Sequence, residues 1–251
     1  MKALSDRLAP SSVATVYQHT RSVFRAAEID RVIASSPCAR ITLPRKERQT
    51  VVPLATETVI AIKDAMTARV AAMVTMMAGT GLRPGEAAGV TVDRVDFLRR
   101  TLRVDRQLVQ TRAPSFGPPK TQASYRTVPL PQVVVDALAA HMAAFPPGEH
   151  RLIFTQPDGK ALNRDKVVLA FRKAAGAPAG TRLHSLRHYY ASLAIRHGES
   201  VKVVQSRLGH ASAKKTLDTY GHLWPDSEDL TRAAIDSVLG GRTIDSKADQ
   251  A

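Results

Sequence analysis

The most informative segments of this chain are Leu208-Gly209-His210 and, ending twelve residues later, Leu217-Asp218-Thr219-Tyr220-Gly221-His222. Two further motifs lie upstream of them, His184-Ser185-Leu186-Arg187-His188 and Gly81-Leu82-Arg83-Pro84-Gly85-Glu86. In chain order they place one phenolic hydroxyl downstream of arginines and histidines. Such side chains are suited to attack on a phosphodiester and to holding the charge that develops on it.

Two arginines are the candidate anion clamps. Arg83 precedes Pro84, a residue favoured in a first helical turn, and Arg187 lies within the His184 motif. A guanidinium grips two oxygens of a phosphate and stays protonated, and helix starts also favour anions. Either arginine alone is most simply a solvated surface charge. Their occurrence in ordered motifs favours the clamp.

The other candidate residues are assigned to separate roles in a phosphoryl transfer. Tyr220 is the candidate nucleophile, and Lys120, after Gly117-Pro118-Pro119, is the candidate general acid on a predicted hairpin tip. His184 and His210 are candidates for hydrogen bonding to the phosphate or moving a proton. Glu86 is the candidate that orients a neighbouring basic side chain, although ordinary charge complementarity at a helix start also explains it.

Composition bounds the class of partner and compartment. The 251 residues carry a net charge of +14, which favours a polyanionic partner, most commonly nucleic acid. Cys38 is the single cysteine, so no internal disulfide forms and a reducing compartment fits. The apolar run from Val70 to Leu82 is shorter than the ~20 residues that cross a bilayer. We expect a cytoplasmic protein with no membrane partner.

The pattern along the chain predicts a mainly α-helical α+β fold. Helices are predicted over residues 11–33 and 56–66, around Val70–Met77, and from Pro84 onward, and most of the chain after residue 130 is also helical. Residues 90–130 predict short strands of a small antiparallel sheet, and Leu152-Ile153-Phe154 is a further candidate strand. A basic linker predicts a domain boundary near residues 43–52.

Two other sites were weighed against this interpretation. His184 and His188 lie four residues apart, as metal ligands on a helix do, but no glutamate or acidic third ligand accompanies them. Gly79-Thr80-Gly81 hints at a nucleotide-binding loop, but Gly85 lies one position too late for that motif. We therefore expect neither a metal nor a cofactor.

The ordered motifs resemble those of the tyrosine recombinases, also called the phage-integrase family. The resemblance includes Pro119-Lys120-Thr121 and Thr127-Val128-Pro129-Leu130-Pro131 in addition to the motifs quoted above. It implies that phosphate activation falls to Arg83, Lys120, His184, Arg187 and His210. Tyr220 would be the nucleophile, and Glu86 would support the pocket. The implied product is a 3′-phosphotyrosyl link with a free 5′ hydroxyl, formed and exchanged without metal or ATP.

The resemblance also implies a domain organisation and partners. Residues 1–45 resemble the second half of a helical core-binding (SAM-like) domain whose first helices are missing here, 46–240 the catalytic domain, and 241–251 a polar tail. Double-stranded DNA carrying recombination sites would be the substrate, bound by a homotetramer, with DNA-bending accessory proteins as further partners. Residues 226–239 would form a helix that docks on a neighbouring protomer or on the chain's own core. A shortened core-binding domain is expected to weaken DNA affinity and full recombination.

Two alternative functions stay open at this point. The first is a DNA-binding module or remnant that no longer recombines. The second is a DNA-relaxing enzyme of the topoisomerase IB type. The complete set of candidate residues argues against the first, and the Gly209 and Tyr220 motifs favour a recombinase over the second.

Overall fold

The computed structural model describes residues 2–45, 50–109, 114–174, 176–224 and 228–239. The chain divides into two compact units, residues 1–50 and 51–251. The helices are α1 (Lys2–Ser5), α2 (Pro10–Ile29), α3 (Thr56–Asp64), α4 (Ala68–Thr80), α5 (Pro84–Ala88), α6 (Gln132–Ala144), α7 (Arg164–Lys173), α8 (Leu183–Arg196), α9 (Val201–Leu208), α10 (Ala213–Tyr220) and α11 (Glu228–Leu239). The strands are β1 (Val95–Asp96), β2 (Thr101–Val104), β3 (Gln107–Val109), β4 (Ser115–Gly117) and β5 (Arg126–Pro129).

The first unit is built on α2, which is shorter than the predicted helix over residues 11–33. It ends at Ile29, because Arg31 adopts a left-handed backbone with φ 58°. Tyr17 is buried on this helix, and its hydroxyl donates to the backbone oxygen of Cys38 at 2.7 Å. This hydrogen bond fixes the segment after α2 against the helix.

The second unit has its core around α4, which packs against α6 and α8. Val74, Met76 and Met77 of α4 are fully buried. The inward face of α3 carries Val59 and Ile62, which are both buried. None of the helices among the described residues is long and apolar enough to cross a membrane.

The predicted single sheet is two sheets. Strands β1, β2 and β5 form an antiparallel sheet in that order, with Leu102 opposite Val128, whereas β3 pairs with β4 alone. Leu152-Ile153-Phe154 is buried but makes only an isolated bridge, between Leu152 and Thr91. Lys120 consequently lies in the connection from β4 to β5, which joins the two sheets. Its predicted place at a hairpin tip is wrong.

The C-terminal helix α11 presents an apolar face to solvent. Ile235, Val238 and Leu239 are 53%, 70% and 62% exposed. Its predicted start at residue 226 and the predicted polar tail over residues 241–251 lie outside the described residues.

Two helices end at glycines in the left-handed conformation. Gly81 caps α4 with φ 66°, and Gly209 caps α9 with φ 61°. A Cβ on Gly209 would lie 2.9 Å from the backbone oxygen of Ala123, and one on Gly81 would lie 2.5 Å from the ring of Tyr190. Both positions therefore require glycine for conformation and for space.

We expect Gly209→Ala to destabilise the fold more than Gly198→Ala. Gly198 also has a positive φ, of 84°, but nothing lies within 4 Å of its Cβ position. The control isolates the left-handed strain, about 1–2 kcal/mol, and Gly209→Ala adds a steric cost of about 1–3 kcal/mol. Urea unfolding of both variants measures the difference; equal losses would show that the backbone around Ala123 yields freely.

Candidate active site

The candidate residues converge from separate elements onto the turn after α9. Arg83 stands immediately before α5, Arg187 lies on α8, and Tyr220 is the last residue of α10. Arg83 donates to the backbone oxygen of Gly209 at 3.1 Å, and Arg187 donates to that of Leu208. His210, which follows Gly209 in this turn, stacks on Tyr220 with ring centroids 6.5 Å apart.

Arg187 is a buried cation held by backbone carbonyls. Its side chain is 1% exposed, and its guanidinium donates to Gly81 O at 2.7 Å and to Leu208 O. These carbonyls belong to the C-terminal ends of α4 and α9, where the helix dipole favours a positive charge. Burial, followed by the charge of Arg83, lowers the pKa of Arg187 to about 9, so it stays protonated at neutral pH.

Arg187 forms no ion pair with a carboxylate in the part of the chain that the structure describes. A buried charge without a counter-ion is costly, and one that meets an anionic substrate recovers that cost. The arrangement therefore favours binding of an anion at this guanidinium.

Glu86 links Arg83 to a second buried arginine, Arg126. Its carboxylate accepts from Arg83 Nη1 at 2.7 Å and from Arg126 Nη2 at 3.0 Å, and it also accepts from the Arg83 backbone N–H at 2.9 Å. Arg83 Nη1 is further fixed by the Ser124 hydroxyl at 3.1 Å. Glu86 thus contacts Arg83, the neighbouring basic side chain that it is predicted to orient.

Arg126 was missed by the sequence analysis, although a signal was present. It lies two residues before Val128 in β5, and alternate residues of a strand share a face. Val128 is fully buried, so the same face carries Arg126 inward, where it also donates to the backbone oxygen of Arg207 at 2.7 Å.

We expect Glu86→Gln to lower the free energy of unfolding by about 3 kcal/mol at pH 7, the scale of breaking a buried ion pair. Burial alone would raise the pKa of Glu86, but hydrogen bonds and charges from Arg126 and Arg83 lower it below its ordinary 4.5. A lowered folded pKa means that the stabilisation is complete above pH 4.5 and is lost as the pH falls through the folded value.

Urea unfolding of wild type and Glu86→Gln from pH 7 down to about pH 3 measures this dependence. The difference between the two proteins should shrink on acidification. Asp158→Asn, at an exposed surface ion pair, is the control and should change stability little. A difference for Glu86→Gln that is independent of pH would show that the carboxylate charge contributes nothing.

Both predicted histidines are held in the neutral form at pH 7. His184 keeps an exposed face, but its partial burial, followed by electrostatic repulsion from His188 and Arg187, lowers its pKa to about 4. Burial and the charge of Arg187 lower the pKa of His210 to about 3. His210 Nδ1 lies 2.9 Å from the Thr216 hydroxyl, which leaves Nε2 for a substrate.

Tyr220 lies at the end of its short helix, as predicted, but its hydroxyl is not presented to solvent. The side chain is 1% exposed, and the hydroxyl lies 2.8 Å from Nδ1 of His188. Burial raises the pKa of Tyr220 to about 12, against the lowering effect of Arg187. The hydroxyl therefore holds its proton at neutral pH.

His188 is the second residue that the sequence analysis missed, here as the hydrogen-bond partner of Tyr220. The sequence suggests it only as a second metal ligand beside His184, and the centroids of the two rings do lie 4.9 Å apart. The described residues contain no group of three His, Cys, Asp or Glu side chains that fits a metal ion. The spacing of four residues nevertheless gave a usable signal for His188, because it predicts that the rings of His184 and His188 face the same side of α8.

Lys120 lies at the edge of the site rather than within its hydrogen-bond network. It is exposed, and its charge acts on Lys215 of α10, whose pKa is lowered by partial burial and then by Arg83, Arg187 and Lys120. Lys215 is a third missed residue. Its signal was a basic pair, Lys214-Lys215, whose second member lies five residues before the candidate nucleophile Tyr220. Two lysines thus border the cluster of arginines and histidines.

The geometry amounts to a protonated phenol beside a set of fixed cations and N–H donors. Such a site can bind a phosphate diester, stabilise charge on its non-bridging oxygens and deliver a tyrosine oxygen to the phosphorus. A lysine at the edge can supply a proton to a leaving oxygen.

Known proteins similar in sequence to this chain are tyrosine recombinases. The tyrosine recombinase XerC-like protein of Caldanaerobacter subterraneus subsp. tengcongensis is 27% identical over 237 residues, which cover 82% of this chain and 60% of that protein. Tyrosine recombinase XerC of Rhodospirillum centenum is 29% identical over 210 residues, covering 78% and 58% respectively. The chain thus spans about three-fifths of the length of these curated relatives.

The fold is also found among solved structures. The Tn1549 transposon integrase, in complex with a circular intermediate DNA, superposes with a TM-score of 0.77 at 19% identity, covering 94% of this chain and 82% of that chain. This likeness confirms the mainly helical α+β fold. Residues 54–226, which contain every candidate site residue, match the sequence model of the Phage integrase family. The resemblance inferred from the motifs is therefore confirmed, and the chain belongs to the phage integrase family.

Proposed function

We propose that this chain is a site-specific DNA recombinase that cleaves and rejoins DNA through a 3′-phosphotyrosyl intermediate. The observation that carries the proposal is a buried arginine, Arg187, whose charge acts on the Tyr220 hydroxyl. Among the described residues, its guanidinium is held by backbone carbonyls and forms no ion pair with a carboxylate. Family membership supports the same reaction, since the relatives are named tyrosine recombinases.

The proposed first step is attack of the Tyr220 oxygen on the scissile phosphorus. A Tyr–O–P bond forms to the 3′ side of the DNA, and the P–O5′ bond breaks. Arg83 and Arg187 hold the non-bridging oxygens. Glu86, held in turn by Arg126, fixes Arg83 in place. Because the phosphotyrosyl link keeps the energy of the broken bond, a 5′ hydroxyl of another strand can reverse the reaction without ATP.

The proton transfers are assigned to the remaining candidates. His210 donates a hydrogen bond through Nε2, because Nδ1 is held by Thr216. His184, neutral at pH 7, donates from the exposed side of the cleft. Lys120 protonates the leaving 5′ oxygen, a role that its exposed position in the β4–β5 connection supports if that connection moves toward bound DNA.

The proposed substrate is double-stranded DNA carrying recombination sites. The net charge of +14 supports it, and the Tn1549 relative was solved in complex with DNA. We propose a homotetramer on DNA, with DNA-bending accessory proteins as further partners. The exposed apolar face of α11 supports docking on a neighbouring protomer. A cytoplasmic location fits the lone cysteine, Cys38.

The domain assignment is part of the proposal. Residues 1–45 form a partial core-binding domain, residues 46–240 the catalytic domain and residues 241–251 a polar tail. The two alternative functions, a DNA-binding module without recombination and a topoisomerase IB-like enzyme, are not favoured, because the named relatives are recombinases and integrases.

Covalent trapping tests the proposal. The wild-type chain is incubated with nicked suicide DNAs that carry candidate attachment sites, in the presence of EDTA, and the products are separated on a denaturing gel. We expect a slowly migrating protein–DNA band. Measurable DNA binding without this band at any site would favour the DNA-binding module, and relaxation of supercoiled DNA without joining of two DNAs would favour the topoisomerase.

A further inference from the structure

The nucleophile needs a proton acceptor, and the pocket around it offers one. Tyr220 is 1% exposed, so bulk water has little access to its hydroxyl. Nδ1 of His188 lies 2.8 Å from the hydroxyl oxygen, within hydrogen-bond distance. The two rings meet edge to face, with centroids 5.6 Å apart. The geometry thus places an imidazole nitrogen directly on the reacting oxygen.

The other histidines of the site are placed for different contacts. His210 stacks nearly parallel to the Tyr220 ring, at an interplanar angle of 10°, and its Nδ1 is engaged by Thr216. His184 contacts the His188 ring and has no hydrogen bond to Tyr220 within the described part of the chain. No carboxylate there accepts from the Tyr220 hydroxyl either. His188 is therefore the basic group in place.

We propose that His188 is a catalytic residue that accepts the proton of the Tyr220 hydroxyl during attack on the phosphate. This inference rests on the proposed recombinase function and adds the general base to it. The proton moves from the phenol to His188 Nδ1, and the Tyr220 oxygen uses the freed electron pair to bond to phosphorus. The bond to the 5′ oxygen breaks, and that oxygen takes a proton from another donor at the site. In the reverse step, His188 returns its proton to the tyrosine.

The charges around His188 keep it ready to accept. Burial, followed by the charge of Arg187 on the same helix, lowers the pKa of His188 below its usual range. His184 faces it from α8, and Tyr220 faces it from α10. His188 is consequently neutral at pH 7, while Tyr220, with its pKa near 12, still carries its proton.

The first arm of the test requires no DNA. In protein labelled with ¹⁵N-histidine, the chemical shift of His188 Nδ1 at neutral pH should be that of an unprotonated nitrogen that accepts a hydrogen bond. Tyr220→Phe should move this resonance, because it removes the donor. His197, exposed just after α8, should show no change and serves as the internal control. An Nδ1 resonance that Tyr220→Phe leaves in place, or that carries its own proton, would overturn the proposal.

The second arm measures single-turnover formation of the covalent adduct against pH. We expect His188→Gln to slow this step at pH 7 by ~10²–10⁴-fold, the usual contribution of a general base. The wild-type rate should be level from about pH 7 to 9 and fall in acid as His188 becomes protonated. In His188→Gln the rate should instead climb about tenfold per pH unit, as only the phenolate attacks.

A merely structural role for His188 would lower the rate without changing the shape of the profile, and that result refutes the proposal. The control variant His197→Gln should keep both the wild-type rate and its profile. A wild-type chain that forms no adduct at all would refute the recombinase function and the base role with it. An adduct in wild type and an unchanged profile in His188→Gln would refute the base role alone.

Discussion

A Tyr220→Phe chain is expected to form no covalent link to DNA while binding DNA as well as wild type. The change removes one oxygen from a side chain that is 1% exposed, so the ring continues to fill its place beside His210. The lost hydrogen bond to His188 should cost about 0.5–1.5 kcal/mol of stability. Denaturing gels measure the adduct, and gel shifts measure binding at matched salt.

The other tyrosines supply matched controls. Tyr189→Phe removes a hydroxyl that lies 3.1 Å from that of Thr56, and Tyr125→Phe removes one from an exposed side chain. Both variants should retain the adduct. If Tyr220→Phe still formed it, the nucleophile would be a different residue, and mapping the labelled peptide would identify it.

The second large effect is expected for Arg187→Ala. Loss of one preorganised donor to a developing oxyanion usually costs ~10²–10³ in rate. Arg187 also contributes a full buried charge, so a fall of at least ~10³-fold in single-turnover cleavage is expected. Arg187→Lys should recover part of this rate, since a lysine keeps the charge but loses the planar fork.

The same substitution should weaken the fold. It leaves the backbone oxygens of Gly81 and Leu208 without their donor, at about 1–3 kcal/mol for each buried unsatisfied group. Unfolding must therefore be measured beside the rate, at a temperature where both variants remain folded. Arg196→Ala, exposed at the end of α8, is the control and should change neither. Near-wild-type cleavage by folded Arg187→Ala would remove this arginine from the mechanism.

Local signals explain which parts of the fold were predictable. The ends of α4 and α9 follow from Gly81 and Gly209, because left-handed caps depend on the glycine itself. The inward face of α3 follows from its period. The division of residues 90–130 into two sheets was not predictable, because pairing depends on partners distant in sequence: β2 pairs with β5, leaving β3 to β4.

The site divides along the same line. Arg83, Glu86 and the position of Tyr220 at a helix end follow from short motifs, and the Glu86 contact to Arg83 spans three residues. The contacts of Arg126 with Glu86 and of His188 with Tyr220 span 40 and 32 residues. Which buried groups meet across such separations is set by tertiary packing, and no local pattern carries it.

The carbonyls that hold Arg187 have a consequence for how this site tolerates sequence drift. Every residue type carries the same backbone oxygen, so a substitution at Leu208 that preserves the turn also preserves the anchor. Peptide oxygens do not titrate, so acid that would discharge a carboxylate leaves this anchor intact. The position of Arg187 is therefore set by the shape of two helix ends rather than by the identity of a partner side chain.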